Sequence, residues 1–209
     1  MQVRTDLAIE AGEGMTGTGG MSPDDVLREE ESRDEARLTR ITIKSDRGAQ
    51  ELGRPRGVYI TAEVPPLSDN DEKLENYARL IGEELQKLLP AEGSVLVAGL
   101  GNESITPDAL GPRAAQMVLA TRHIEGEFAR STGLDDLRPA AVTVPGVLGQ
   151  TGVESGEIIR GVCSVVKPAA VIVIDALAAR STERLGLSLI HIFHPAPESR
   201  PGPCPHTGR

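Results

Sequence analysis

The chain has 209 residues, of which 39% are hydrophobic and 25% are charged, and its formal net charge is −9. These proportions are typical of a globular domain with a core of ordinary size. Because phosphate backbones and anionic membranes would repel this charge, we expect neither a nucleic-acid nor a membrane partner. The two cysteines are too few for a disulfide framework, and no apolar run approaches the ~20 residues of a membrane span. The sequence therefore predicts a reducing, cytoplasmic setting.

The first part of the chain is predicted to be flexible and the next part to form strands. Residues 7–37 are rich in Gly, Ser, Thr and acids, which is typical of a flexible segment. LTRITIK, which begins at Leu38, and GVYITAEV, which begins at Gly57, alternate apolar and polar residues. This alternation predicts two half-buried strands in a hairpin-like unit across the polar stretch between them.

The middle of the chain alternates helical and strand patterns. Residues 69–90 predict the clearest helix, because leucines recur at helical spacing and Pro90 ends the run. SVLVAGLGN, AAVTVPG and AAVIVIDALA then predict strands, and GPRAAQMVLATRHI and ESGEIIRGVCSVVK predict the helices between them. Such alternation predicts the α/β class, as a three-layer α/β/α sandwich around a mostly parallel sheet.

The end of the chain breaks this pattern. From Leu187 the sequence reads LSLIHIFHPAPESRPGPCPHTGR, with five prolines after Phe193 that neither helix nor sheet tolerates. LSLIHI also resembles the in-frame translation of a transposon-end sequencing adapter. We therefore predict that residues 187–209 are a non-native or disordered tail and that residues 38–186 are a partial domain.

Two aspartates follow predicted strands. Asp108 lies in GLGNESITPDALGP after one strand, and Asp175 lies at the end of VIVID. Sites in open parallel sheets form outside the carboxyl ends of the strands, so both acids could face one crevice. A close carboxylate pair shares a proton and supplies an acid and a base. The alternative is that each aspartate only caps a helix or satisfies a turn.

Two glycine-containing loops lie at the same predicted edge. Gly101 and Asn102 belong to a GxGN turn, which could cradle phosphate, place an amide near a substrate or serve close packing. Gln150 and Thr151 in PGVLGQTG could hydrogen-bond a peptide substrate or belong to a plain structural loop. His123 is interpreted as a surface residue and Cys163 as a core residue, so we expect no metal and no cofactor.

Four motifs carry a resemblance to a known family. RTDLAIEA, GLGNESITPDALGP, PGVLGQTGVESGEII and VIVIDALAARS resemble the germination protease family in order and spacing, over most of residues 3–185. This resemblance implies the N-terminal two-thirds of an atypical aspartic endopeptidase, made as a zymogen, that cleaves small acid-soluble spore proteins during germination. It also implies a homotetramer in the spore core, and a fold similar to that of hydrogenase-maturation endopeptidases.

The resemblance assigns roles to individual residues. The family's paired catalytic aspartates fall on Asp108 and Asp175, and its self-cleavage site falls between Asp6 and Leu7, with residues 1–6 as the propeptide. The hexapeptide TDLAIE is similar to the family's substrate pattern, Thr-Glu followed by Phe or Ile, then Ala, Ser and Glu.

Two other interpretations stay open. The GxGN turn followed by an acid also resembles hydrogenase-maturation endopeptidases, in which Asp108 would recognise a metal bound to the substrate. The chain could also be an inactive truncated fragment that only assembles with partners.

Overall fold

The computed structural model describes residues 22–33, 36–64, 71–124, 126–177 and 187–193. The predicted cleavage site at Asp6 and Leu7, and with it the predicted propeptide, lies outside the described residues. The chain divides into two compact units, Met1–Leu88 with Ala179–Arg209 and Leu89–Ala178. Each unit combines strands and helices, which confirms the α/β class.

The first unit is built on a four-stranded sheet. It contains β1 (Val26–Arg33), β2 (Ala36–Ile43), α1 (Asp46–Leu52), β3 (Gly57–Glu63), α2 (Asp71–Leu88) and β7 (Leu187–Phe193). The strand order is β1-β2-β3-β7, and every neighbouring pair is antiparallel. The sequence predicted mostly parallel strands. β1 and β2 are antiparallel because their connection is too short for a parallel crossover, and β3 turns back along β2 as the hairpin-like prediction held.

The predicted pairing of β2 with β3 is confirmed. Ile60 of β3 lies opposite Arg40, and its side chain packs with Leu38, Tyr77 and Leu80 in one buried cluster. The stretch between the strands is α1, a helix that the sequence analysis missed. Its boundaries have local signals, since the Ser45 side chain accepts a hydrogen bond from the Gly48 amide and Gly53 ends the helix with φ 61°.

Two strands lie in segments that were predicted to be irregular. β1 lies within the segment predicted to be flexible, and it has no apolar alternation. Its charged side chains pair instead, as when Arg28 and Arg37 both bind Glu30 at 2.6 and 2.8 Å. β7 opens the predicted tail and pairs antiparallel with β3. That residues 187–209 are foreign to the native protein stays a prediction.

The second unit holds a three-stranded parallel sheet, as predicted. It contains β4 (Val95–Gly99), a 3₁₀ turn (Thr106–Asp108), α3 (Leu110–Gln116), α4 (Gly126–Thr132), β5 (Ala140–Thr143), α5 (Leu148–Thr151), α6 (Ser155–Val166) and β6 (Ala170–Ile174). The strand order is β5-β4-β6, so β4 is central and the carboxyl ends of β4 and β6 are neighbours.

The core of this unit lies around β4. Val95 and Val97 pack with Ala115 of α3 on one face, whereas Leu96 and Ala98 point to the other face and are fully buried. The outer part of the sheet is different. Val171 and Val173 on β6 are 41% and 50% exposed, so one face of this strand is open to solvent within the described structure.

The helix predicted across GPRAAQMVLATRHI ends much earlier, at Gln116. The chain leaves the helix because Thr121 and Arg122 donate their backbone N–H groups to the carbonyl oxygen of Ala140 in β5. The Thr121 hydroxyl also donates to the carbonyl oxygen of Arg138 at 2.6 Å. Within the part of the chain that the structure describes, no helix is both long and apolar enough to cross a membrane.

Candidate active site

The two predicted aspartates follow strands that are direct neighbours in the sheet. Asp108 comes nine residues after Gly99, the last residue of β4, and Asp175 comes directly after β6. The ladder between these strands continues past β4, since the Leu100 amide donates a 2.8 Å hydrogen bond to the carbonyl oxygen of Ile174. Both acids therefore extend from one carboxyl edge, which is where sites form in parallel sheets.

Gly111 holds the start of α3 against this edge. A Cβ atom at Gly111 would clash with the carbonyl oxygens of Leu100 and Ile174, and one at Gly99 would clash with the carbonyl oxygen of Gly111. The first turn of α3 therefore touches the ends of both strands. Because Asp108 lies only three residues before Gly111, this contact keeps the Asp108 turn close to the residues that precede Asp175.

The carboxylate of Asp108 is held by the GxGN turn. The backbone N–H of Asn102 donates to its Oδ2 atom at 2.6 Å. Gly101 has φ 118°, and a Cβ atom there would collide with the carbonyl oxygen of Asp108 and lie 3.1 Å from its carboxylate. Gly101 is thus required both for its backbone conformation and for close packing, as one interpretation of the turn held.

The side chain of Asn102 connects two loops. Its Oδ1 atom accepts 3.0 Å hydrogen bonds from the Ser104 amide and from Nε2 of Gln150. Gln150 lies in α5, which follows β5, so the contact joins the loops after β4 and β5. The strand pattern predicts Asn102 and Gln150 at one edge, but their direct contact has no signal in the sequence because 48 residues separate them.

Thr151 is not part of this network. Its hydroxyl donates to the carbonyl oxygens of Val147 and Val153 at 3.2 and 2.9 Å, both within its own loop. Asp175 is exposed, and its Oδ1 atom accepts a 2.8 Å hydrogen bond from the amide of the next residue, Ala176. The structure therefore gives Asp108 a network of neighbours and gives Asp175 a local bond at the open surface.

The remaining candidates lie elsewhere. His123 is exposed, in agreement with its surface interpretation, whereas Cys163 is half-buried on α6 and less enclosed than a core residue. Among the residues that the structure describes, no group of three His, Cys, Asp or Glu side chains is arranged to hold a metal ion.

The groups at this edge that could take part in chemistry are carboxylates and amides. Asp108 is half-buried and oriented by a backbone donor, while Asp175 is open to solvent. Carboxylates in such positions can accept a proton from water or donate one to a leaving group. Backbone and side-chain amides around Asn102 and Gln150 can bind an extended peptide.

Known proteins match almost the whole chain. A family model described as Germination protease matches residues 7–194. The Germination protease of Caldanaerobacter subterraneus is 42% identical over 190 residues, that of Clostridium acetobutylicum is 37% identical over 194 residues, and that of Bacillus subtilis is 34% identical over 196 residues.

Each of these matches covers 90% of the chain, but only 57%, 59% and 53% of the respective relative. The chain therefore spans little more than half the length of these curated relatives. A family match over residues 7–194, together with identities above one third, is decisive for kinship. The chain belongs to the germination protease family.

Proposed function

We propose that the chain is part of an aspartic-type endopeptidase that begins the degradation of small acid-soluble spore proteins during germination. In this proposal Asp108 and Asp175 are the catalytic pair. The protein is made in the spore core as a self-processing zymogen and works there as a homotetramer. The relatives are named Germination protease, which supports the peptidase activity and its context.

One observation carries the assignment of the pair. The hydrogen bond from the Leu100 amide to the Ile174 carbonyl joins the loop that holds Asp108 to the residue directly before Asp175. The contacts of Gly111 with both strand ends bring the Asp108 turn to the same edge. Two acids at adjacent strand ends are an arrangement that allows acid–base hydrolysis.

The proposed chemistry has two proton transfers, one at each acid. One carboxylate takes a proton from a water molecule, whose oxygen then bonds to the carbonyl carbon of the scissile peptide. The protonated acid of the pair gives its proton to the nitrogen as the carbon–nitrogen bond breaks. The products are a carboxylic acid and an amine, and the pair ends with one proton, as it began.

Zymogen control is proposed from the N-terminal hexapeptide. Residues 5–10 read TDLAIE, which is similar to the pattern cleaved in the substrate. A segment that mimics the substrate can occupy the cleft and be cut there, between Asp6 and Leu7. Residues 1–6 would leave as the propeptide.

The test is peptide cleavage by a chain of full family length. Residues 1–177 are continued by the C-terminal part of the Caldanaerobacter relative, and the product is given a peptide that contains Thr-Glu-Ile-Ala-Ser-Glu. We expect cleavage before the isoleucine. Asp108→Asn and Asp175→Asn should each lower the rate by about 10³-fold or more, since the acid–base pair would then be broken.

Asp136→Asn is the matched control, because Asp136 is an exposed aspartate of the same unit away from the strand ends. Its rate should equal that of the parent. Full activity in either Asp108→Asn or Asp175→Asn would rule out the carboxylate pair.

A further inference from the structure

Asn102 and Gln150 bond to each other through their side-chain amides, across the loops that follow β4 and β5. The Asn102 side chain is half-buried, and its Oδ1 atom accepts from both the Ser104 amide and Gln150. Its carbonyl oxygen accepts from the Ile105 amide at 3.0 Å. Asn102 is therefore fixed on three sides.

The same residue supplies the donor to Asp108. Its backbone N–H lies 2.6 Å from Oδ2 of the carboxylate. The direction of this N–H depends on the peptide plane between Gly101 and Asn102, and Gly101 lies at φ 118°, where glycine moves easily between conformations. This plane adjoins the Asn102 side chain, which is held by hydrogen bonds from Ser104 and Gln150.

Gln150 is the partner of Asn102 from the other loop. Its Nε2 atom donates to Asn102, and its Oε1 atom lies against Gly146, 3.4 Å from where a Cβ would stand. The amide thus links the β5 loop to the β4 loop. Its amide group has its hydrogen-bonding direction set by Asn102, so it cannot donate the same N–H to a substrate.

We infer that Asn102 and Gln150 are positioning residues, which hold the backbone N–H of Asn102 on the Asp108 carboxylate. Calling Asp108 catalytic rests on the proposed function, but the positioning itself does not. Loss of the Gln150 amide should leave the Asn102 side chain with the Ser104 amide as its remaining described partner, loosen the peptide plane after Gly101 and weaken the bond to Asp108.

Amide NMR on the complete 209-residue chain tests this directly. The chemical shift of the Asn102 amide proton should report its bond to the Asp108 carboxylate, so Asp108→Asn should change it. In Gln150→Ala the same proton should move at least half of the way toward its chemical shift in Asp108→Asn. Exchange of the same amide with solvent should become about tenfold faster, the factor expected for loss of one hydrogen bond of typical strength.

Two variants separate the hydrogen bond from simple bulk. Gln150→Glu keeps the shape of the side chain but cannot donate to Asn102, so it should behave like Gln150→Ala. Gln116→Ala is the matched control: Gln116 is exposed and donates at 3.1 Å to Glu103, the residue next to Asn102, but not to Asn102 itself.

The outcomes are decisive in both directions. An unchanged chemical shift and unchanged exchange of the Asn102 amide in Gln150→Ala and Gln150→Glu would overturn the inference, as would an equal effect of Gln116→Ala. No readout involves peptide cleavage. If Asp108→Asn proved fully active in the cleavage assay, the proposed function would fail while the NMR result still decided the positioning.

Discussion

Glu84 on α2 is buried, with 1% of its side chain exposed, and forms an ion pair with Arg40 on β2. Lys87 adds a second hydrogen bond at 2.6 Å. A carboxylate taken out of water is costly unless it is paired and hydrogen-bonded, so these two cations make its burial possible. The pair also ties the longest helix to the central antiparallel strands.

Arg40→Met is expected to destabilise the protein by about 2–4 kcal/mol, because it leaves the buried carboxylate with Lys87 alone. Urea unfolding measures the change. Arg28→Met is the control on the neighbouring strand, where Arg28 pairs with the exposed Glu30, and it should cost less than about 1 kcal/mol. Equal effects of the two substitutions would contradict the prediction that the buried ion pair contributes more to stability than the exposed one.

Glu84 also predicts a dependence of stability on pH. Burial raises the pKa of this carboxyl, but the hydrogen bonds and charges of Lys87 and Arg40 outweigh burial and hold the pKa below its ordinary value of 4.5. The folded state thus binds the proton more weakly than the unfolded chain does. The stabilisation is present above about pH 4.5 and is lost as the pH falls through the lowered pKa.

Thermal unfolding between about pH 7 and about pH 3.5 checks this. The melting temperature of Glu84→Gln should be lower than that of the parent at neutral pH and should change less in acid, since the titrating group is gone. Parallel curves for the two proteins would show that Glu84 does not carry the dependence.

Arg138 is partly exposed, but we expect it to stabilise the second unit more than other partly exposed residues do. Its guanidinium donates to the carbonyl oxygens of Gly93, Pro90 and Glu92 at 2.7, 2.8 and 3.0 Å. Arg138→Ala should lower the free energy of unfolding by about 2–3 kcal/mol, the sum of several modest hydrogen bonds. Arg130→Ala, an exposed arginine on α4, should change it by less than about 0.5 kcal/mol.

Gly111→Ala should destabilise the second unit by about 1–3 kcal/mol, because the added methyl group would push α3 away from the carbonyl oxygens of Leu100 and Ile174. Gly161→Ala is the counterpart on α6, where the new methyl group meets nothing within 4 Å. It should stabilise by about 0.5–1 kcal/mol. Chemical denaturation of both variants gives the comparison, and a stabilising Gly111→Ala would contradict the close contact.

Gln150→Ala should also affect catalysis by the chain of full family length. If Gln150 orients Asp108 and does not hold the peptide, kcat should fall by about tenfold with KM unchanged, since misplacement of a reacting group lowers the rate. A rise in KM with constant kcat would instead assign Gln150 to substrate binding.

The strands of the parallel sheet were predictable because their chemistry is local. VLVAG and AVIVI are continuous apolar runs, which predicted strands of a parallel sheet, and the two strands are neighbours, although alternate residues of AVIVI are exposed. β1 was missed because its sequence has no apolar alternation, and neither its backbone pairing with β2 nor a charge pair such as Glu30 with Arg37 leaves a periodic signal.

The candidate site was predictable only in outline. Strand ends pointed to Asp108 and Asp175, and glycine spacing pointed to Gly101. The contact between Asn102 and Gln150 had no sequence signal, because it depends on how two loops meet in space. Gly111 was read only as part of a helix, although its role comes from the atoms that α3 approaches.

The position of β6 leaves Asp175 less restrained by neighbouring structure than Asp108. Among the described strands, β6 is hydrogen-bonded to β4 alone. Asp108 lies in a turn tied down by Asn102 and Gly111, whereas Asp175 ends a strand restrained on one side. Asp175 therefore follows a strand whose second edge is unpaired among the described residues, and any segment that paired there would restrain its carboxylate from both sides.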